Sequence, residues 1–358
     1  MILATKPYFP PKEKYLSYIE EVYRTGWLTN NGVFAVDLEK KLKNYLKVDY
    51  LSVLTNGTVA IQMAIKTLSL KGEIITTPFS YVATTSSIVW ENCEPIFVDI
   101  KPSDFTIDPN KIEAAITSKT TAILATHVFG YPCEVEKIEQ IAKKHNLKII
   151  YDAAHAFGVK VNGISVLNYG DISTLSFHAT KLFHTVEGGA VIATKKEVAD
   201  VLEYQRRFGH DGPYKFHGLG INAKLSEIHA AMGHCVLDDI DSILAKRKSQ
   251  WLYYFEQLQN LNVHLLQVEN QVKYNYAYFP IVFQSEDILL KILQALELKN
   301  IFPRRYFYPS LNTINYVKYQ SMPISESIAS KVMCLPLFHD LEVETQNIII
   351  NTICSSVK

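Results

Sequence analysis

Lys181 stands in the stretch SFHATKLFHTVEGGAV, residues 176–191, with Ser176 and His178 upstream and the Gly188–Gly189 pair downstream. A lysine enclosed in an apolar, glycine-bounded loop loses hydration of its ammonium form, which lowers its pKa toward nucleophilic use. A surface lysine keeps its charge, so the neighbours decide between the two readings. Asp152 closes the apolar run of IIYDAAHAFG and is followed by small residues and His155. A carboxylate there can hold a protonated ring nitrogen or a metal, and it can equally cap a helix. Asn56, Gly57 and Thr58 end another apolar run in LTNGTVAIQMA. Amides at a helix start, beside a glycine and a hydroxyl, make a phosphate cradle; the same residues also read as an Asn-Gly turn with a threonine cap.

The elements that must position these groups follow from periodicity. Residues 1–50 form an entry segment, passing from Pro-rich coil into an amphipathic helix, a turn at Thr29, Asn30, Asn31 and Gly32, and a second helix in FAVDLEKKLKNYLKV. Short apolar strands then alternate with helices: YLSVLT before GTVAIQMAIKTL, EIITTP before YVATTSSIVWEN, PIFVDI, TAILATHVF before EVEKIEQIAKKHN, LKIIYDAA, ISTLSF and GGAVIAT. This alternation predicts a mainly parallel, doubly wound α/β sheet. In such a sheet ligands gather beyond the carboxyl ends of the strands, where all three polar clusters fall. From about residue 240 the texture changes to a long helix, an alternating strand and a Tyr-rich, Pro-interrupted loop. The reading is a large domain over 1–240 and a smaller α+β domain over 241–358. Phosphate cradle, strand-end acid and enclosed lysine are together the parts pyridoxal phosphate requires. It needs donors for its phosphate, a carboxylate for its pyridine nitrogen and an amine to form a Schiff base with its aldehyde.

Composition narrows the partners. The chain has 358 residues, 48% of them hydrophobic, enough for substantial cores. Lys+Arg and Asp+Glu balance at 36 each, so no global field favours nucleic acid or an anionic membrane. The five cysteines are scattered and never spaced as a metal knuckle, which fits a reducing compartment. The N-terminal residues lack an apolar signal core, and no run approaches the roughly 20 apolar residues of a membrane span. A cytoplasmic location, no nucleic-acid or membrane partner and no metal are the expectations. No G-x-G-x-x-G follows the early strand, which weighs against a dinucleotide-binding protein.

The segments TNGTVAIQMAI, TTPFSYVATTSSI, EPIFVDI, DAAHAFG, GDISTLSFHATK, EGGAVI and GINAKLSEIHAAMG, taken in order, resemble the nucleotide-sugar aminotransferases of the DegT/StrS type. These are pyridoxal-phosphate enzymes with the aspartate aminotransferase-like fold (fold type I). The resemblance runs from GWLTNNG through the C-terminal domain. By position it implies that Lys181 is the Schiff-base lysine and Asp152 the partner of the pyridinium nitrogen. Tyr81 falls where an aromatic ring lies against the cofactor, and His155 near its 3-hydroxyl. Gly57, Thr58 and Ser176 match phosphate contacts. Asn222 matches an asparagine that reaches the cofactor phosphate of the other subunit, which implies a homodimer with shared sites. His178 lies in the S-x-H-x-x-K pattern, as a contact or as support. Arg207 departs from the pattern, standing where an asparagine is common. His127 and His184 lack motif support and read as structural. The tyrosines of RRYFYPSL line a sugar site or pack a loop.

The activity so implied is a ping-pong transamination from L-glutamate to a nucleotide-linked keto sugar. WLTNNG, RRFGHDGPYKFHGLGINAKLSE and FPRRYFYPSLNT are most similar to the subgroup that aminates C4 of dTDP-4-keto-6-deoxy-D-glucose. The product is dTDP-4-amino-4,6-dideoxy-D-glucose, for O-antigen (lipopolysaccharide) or other surface polysaccharide. The alternatives are a C3 aminotransferase on the isomeric 3-keto sugar, and a non-catalytic binding or regulatory protein on the same fold. A dehydratase of this fold carries histidine in place of the lysine, against which Lys181 stands.

Overall fold

The computed structural model describes residues 1–357. A short strand β1 (Ile2–Leu3) precedes helices α1 (Lys12–Thr25) and α2 (Val33–Leu46). The alternating part follows as β2 (Tyr50–Leu54), α3 (Gly57–Thr67), β3 (Gly72–Thr76), α4 (Val82–Trp90), β4 (Cys93–Phe97), α5 (Pro109–Ile112), β5 (Thr120–Thr126), α6 (Val135–His145) and β6 (Lys148–Asp152). Two short strands, β7 (Lys160–Val161) and β8 (Ile164–Ser165), lead to β9 (Ile172–Ser176), β10 (Gly189–Ala193), α7 (Lys196–Gln205), α8 (Glu227–Asp238) and α9 (Ile240–Leu258). The rest comprises β11 (His264–Leu265), β12 (Val272–Lys273), β13 (Phe279–Val282), α10 (Glu286–Glu297), β14 (Ile301–Phe302), α11 (Pro323–Lys331), β15 (Val332–Leu335) and α12 (Val343–Val357).

The local reasons are legible in the side chains. In α6, Val135, Ile138 and Ala142 recur on one buried face, while Lys143, Lys144 and His145 stand in the last turn, where the helix dipole favours cations. Asn146 ends it in the left-handed conformation. Asn56, rather than the threonine, caps α3: its side chain accepts from the Val59 amide. Strand β6 is buried along Ile149, Ile150, Tyr151 and Asp152, as expected of a strand covered on both faces.

These strands form one seven-stranded sheet in the order β2-β10-β9-β6-β5-β3-β4. The contiguous β9-β6-β5-β3-β4 block is parallel throughout. Strand β10 runs antiparallel to both its neighbours, β9 and β2. The mainly parallel sheet read from the sequence is the sheet observed. The antiparallel β10 has a direct consequence for the site. Gly189 pairs with Ser176, so residues 177–188 form a loop that leaves and re-enters the sheet at one rim, and Lys181 stays there.

A second layer, the three-stranded sheet β11-β13-β15, packs with α9, α10 and α12 in an apolar cluster that includes Trp251, Tyr254, Phe279, Leu289 and Ile349. The same cluster takes in Phe79, Phe105 and Phe129 from segments that follow strands β3, β4 and β5 of the larger sheet. Strand β1 pairs with β14, tying the first residues to the last third of the chain. Among the described residues no helix is long and apolar enough to cross a membrane.

Candidate active site

The carboxyl ends of five strands meet at one rim. Asn56 and Gly57 follow β2, Ser80 and Tyr81 follow β3, Thr126 ends β5, Asp152 ends β6 and Ser176 ends β9. Register holds Thr126, Asp152 and Thr174 side by side across β5, β6 and β9. Together with the 177–188 loop they enclose a cavity of about 570 Å³.

Of the residues singled out from the sequence, Gly57, Thr58, Tyr81, Asp152, His155, Ser176, His178 and Lys181 all line this cavity. Asn222 does not. It is exposed, beside Lys224, whose ammonium donates to its side-chain oxygen at 2.6 Å. Arg207 lies away from the cavity, paired with Glu203 at 3.3 Å. His127 and His184 are buried and bonded. The His127 Nδ1 accepts from the Cys133 amide at 3.0 Å, and the His184 Nε2 meets the Tyr8 carbonyl at 2.8 Å.

The lysine loop is pinned by the Phe177 amide donating to the Gly188 carbonyl at 2.8 Å and the Thr185 amide to the Phe177 carbonyl at 2.9 Å. Its glycines are required by close approach. A Cβ on Gly188 would collide with the Thr185 hydroxyl, and one on Gly189 would stand 2.6 Å from the Asn56 backbone. Burial, reinforced by Arg304 and opposed by Asp152, lowers the Lys181 ammonium to about 8. Its Nζ lies 3.4 Å from the Tyr278 hydroxyl.

Asp152 is 5% exposed. Burial pushes its pKa up, while hydrogen bonds from Thr84 and the Ala154 amide, and the Lys181 charge, act against that. Thr84 donates to one carboxylate oxygen at 2.6 Å and Ala154 N–H to the other at 3.1 Å. His155 packs over Tyr278, ring centroids 4.4 Å apart, and burial holds its pKa well below the ordinary histidine value. Its Nδ1 is buried without a hydrogen-bond partner.

The residues present fit pyridoxal phosphate. The neutralisable amine, the enclosed carboxylate and the orphaned imidazole nitrogen lie on one cavity, where each meets a requirement of the ring. At the other end, the first-turn amides of Gly57 and Thr58 have no intrahelical carbonyl to bond. A Cβ on Gly57 would stand 2.8 Å from that of Ser176. The glycine therefore leaves room between a helix N-terminus and a hydroxyl, as an anion cradle needs.

Several residues of the wall escaped the sequence reading. Arg304 and Phe307 come from the last part of the chain, Ser80 from the link after β3 and Thr126 from the end of β5. The tyrosines of RRYFYPSL divide: Tyr306 is buried at the cavity, with the Arg304 guanidinium 4.6 Å from its ring centroid, and Tyr308 is exposed under Arg305. The tandem arginine before an aromatic triplet was the available signal, but nothing local orients it.

The chain is 41% identical over 98% of both chains to a dTDP-4-amino-4,6-dideoxy-D-glucose transaminase of Shigella dysenteriae. It is 37% identical to a protein of the same name from Escherichia coli, over 96% of this chain and 95% of the relative. Among solved structures, DesI in the presence of its TDP-sugar product superposes with a TM-score of 0.93 at 26% identity, covering 99% of this chain and 93% of that one. The pyridoxal-phosphate form of a Streptococcus pneumoniae protein shares the fold, with a TM-score of 0.91 at 23% identity over 99% of each chain. The sequence model of the DegT/DnrJ/EryC1/StrS aminotransferase family matches residues 11–354, and the chain belongs to that family.

Proposed function

We propose that the protein is a pyridoxal-phosphate aminotransferase that moves an amino group from L-glutamate to C4 of dTDP-4-keto-6-deoxy-D-glucose. The observation that carries the reaction class is the shared wall of Lys181 and Asp152: a partly buried amine brought down to about 8 on the same cavity as a buried strand-end carboxylate. What favours C4 over C3 is the 41% identity to a transaminase named for the 4-amino sugar, against 31% to one named for a 3-amino sugar. The product is dTDP-4-amino-4,6-dideoxy-D-glucose, made in the cytoplasm for O-antigen or a related surface polysaccharide.

Bound pyridoxal phosphate supplies an electron sink conjugated to the carbon that loses and gains the proton. The chain supplies the rest. Lys181 would hold the cofactor aldehyde, and its amine would serve as general base and acid for the proton at the donor Cα. Asp152 keeps the ring nitrogen protonated. His155 would hold the ring hydroxyl, and Tyr81, the residue just before α4, would lie against the ring face. Gly57, Thr58 and Ser176 hold the phosphate, and His178 supports the loop through Thr180, 2.8 Å away. Asn222 reaches the phosphate of a neighbouring site in a homodimer; its exposure and absence from the cavity of its own chain support this reading. We also place the division between large and small domains near residue 240, where α9 begins, with β1 crossing over to pair in the later part.

The test is an absorbance spectrum of the purified protein, then addition of L-glutamate and of each keto sugar nucleotide in turn. The expected result is a visible band that moves to shorter wavelength with glutamate and recovers with the 4-keto substrate. Recovery with the 3-keto isomer alone would move the assignment to C3. Lys181→Ala should abolish turnover, and near-normal activity in that variant would defeat the assignment.

A further inference from the structure

Asp152 is the end point of a line of buried hydroxyls. Thr84 Oγ1 lies 2.6 Å from its Oδ2, Ser80 Oγ lies 2.7 Å from Thr84 Oγ1, and Thr126 Oγ1 lies 3.0 Å from Ser80 Oγ. All four side chains are almost fully buried: Thr84 0%, Ser80 2%, Thr126 4% and Asp152 5% exposed. We propose that these hydroxyls form a directed hydrogen-bond chain that fixes Asp152 as an acceptor toward the cofactor ring nitrogen, with Thr84 and Ser80 as positioning residues. The inference rests on the pyridoxal-phosphate reading above.

The direction of the chain follows from counting protons. An ionised carboxylate only accepts, and each hydroxyl has one hydrogen to give. Thr84 gives its hydrogen to Asp152, so toward Ser80 it can only accept. Ser80 then gives its own to Thr84, and Thr126 must donate to Ser80. All three O–H vectors point toward the acid, and hydroxyls aligned in this way polarise one another. The other carboxylate oxygen takes the Ala154 amide at 3.1 Å. Both oxygens are thereby held in place, and the remaining lone pairs stay available to a ring N–H.

The members come from three elements, which is why the chain positions rather than merely pairs. Thr126 ends β5 directly across from Asp152 in the sheet register. Ser80 lies in the link from β3, and Thr84 in the first turn of α4. Helix α4 also carries Thr85 and Ser87, whose hydroxyls are buried without any partner. Hydroxyl content alone therefore does not account for Thr84: among these neighbours its hydroxyl is the one that reaches the acid.

The experiment compares the parent chain, Thr84→Val, Thr84→Ser and Ser80→Ala by cofactor dissociation constant and by the absorbance of the bound cofactor. Each is measured with pyridoxal phosphate and with its 1-deaza analogue, in which carbon replaces the ring nitrogen. Thr84→Val keeps the shape and removes the donor. Its dissociation constant for pyridoxal phosphate should rise about 10-fold, the loss expected for one hydrogen bond to a charged group. The visible band should shift, Thr84→Ser should restore both, and Ser80→Ala should move both in the same direction by less. Affinity for the deaza analogue should be equal in parent and variants. Equal affinity and an unmoved band with pyridoxal phosphate in Thr84→Val would overturn the inference, as would an equal loss for both cofactors. If Thr84→Val fails to fold, Ser80→Ala against the parent decides on the same two readouts. A parent chain that takes up no cofactor overturns the pyridoxal-phosphate reading itself and the inference with it, and this is seen before any variant is compared.

Discussion

At the scale of the residue, one enclosure shifts Lys181 and Asp152 in opposite directions. Burial disfavours charge on both, lowering the lysine and raising the acid. The neutral amine is the form that attacks an aldehyde. Capture of pyridoxal phosphate by the cofactor-free chain should therefore accelerate as pH rises and reach half its plateau near pH 8. An ordinary lysine at that pH is almost wholly protonated. Stopped-flow absorbance across pH checks this, and a half-plateau near the ordinary lysine value would contradict it. Asp152→Asn keeps the shape and removes the charge that retains the ring proton. Turnover should fall by roughly 100-fold or more, the scale of losing a preorganised charge at the reacting group. Steady-state kinetics with glutamate at saturation measures the loss.

At the scale of the element, the site depends on where helices and strands stop. The turn from β9 to β10 brings Gly189 against the Asn56 backbone. Gly189→Ala should push the phosphate end of the site aside, weakening cofactor affinity by roughly 10-fold, within the usual cost of overpacking, while circular dichroism stays that of the parent. Equilibrium dialysis measures the affinity. Helix α2 starts on Gly32, whose backbone gives it no side-chain cap. Glu227, the first residue of α8, supplies it instead: its carboxylate accepts from the Phe34 amide at 2.8 Å and the Ala35 amide at 2.9 Å, and it is 2% exposed. Glu227→Ala strands two amides at a buried helix start and should cost about 2 kcal/mol, read from the denaturation midpoint.

At the scale of the whole molecule, large apolar side chains are exposed in two segments. Tyr23, Trp27, Leu28, Val33 and Val36 lie in and between α1 and α2, and Phe208, Tyr214, Phe216, Leu219 and Ile221 lead up to Asn222. Both runs precede α8 in the chain, and the Glu227 amide at its start donates to the Leu28 carbonyl at 3.0 Å. Apolar exposure on this scale is what a partner covers. If Asn222 of the partner subunit completes each site, mixing inactive Lys181→Ala chains with impaired Asn222→Ala chains should give hybrid dimers with one intact site. Activity in the mixture should exceed that of either parent variant. A simple average of the two would show that each chain completes its own site.

Much of the site was legible in the sequence because its parts are local. Asp152 ends an apolar strand, Gly57 and Thr58 open a helix, and the glycine pair closes the lysine loop. Each reading needs only strand burial, helix caps and close backbone approach, which neighbouring residues encode. The same locality made the β/α alternation readable and with it the rim where ligands gather. What the tertiary structure decided lies between segments distant in the chain. The antiparallel β10 keeps Lys181 at the rim; Arg304, Tyr306 and Phe307 close the wall from the last part of the chain; and Thr126, Ser80 and Thr84 line up on Asp152 from separate segments. No periodicity specifies which hydroxyl of α4 faces the acid, or that β1 pairs with β14. Those depend on how whole layers pack, and packing brings together side chains whose local sequence carries no sign of each other.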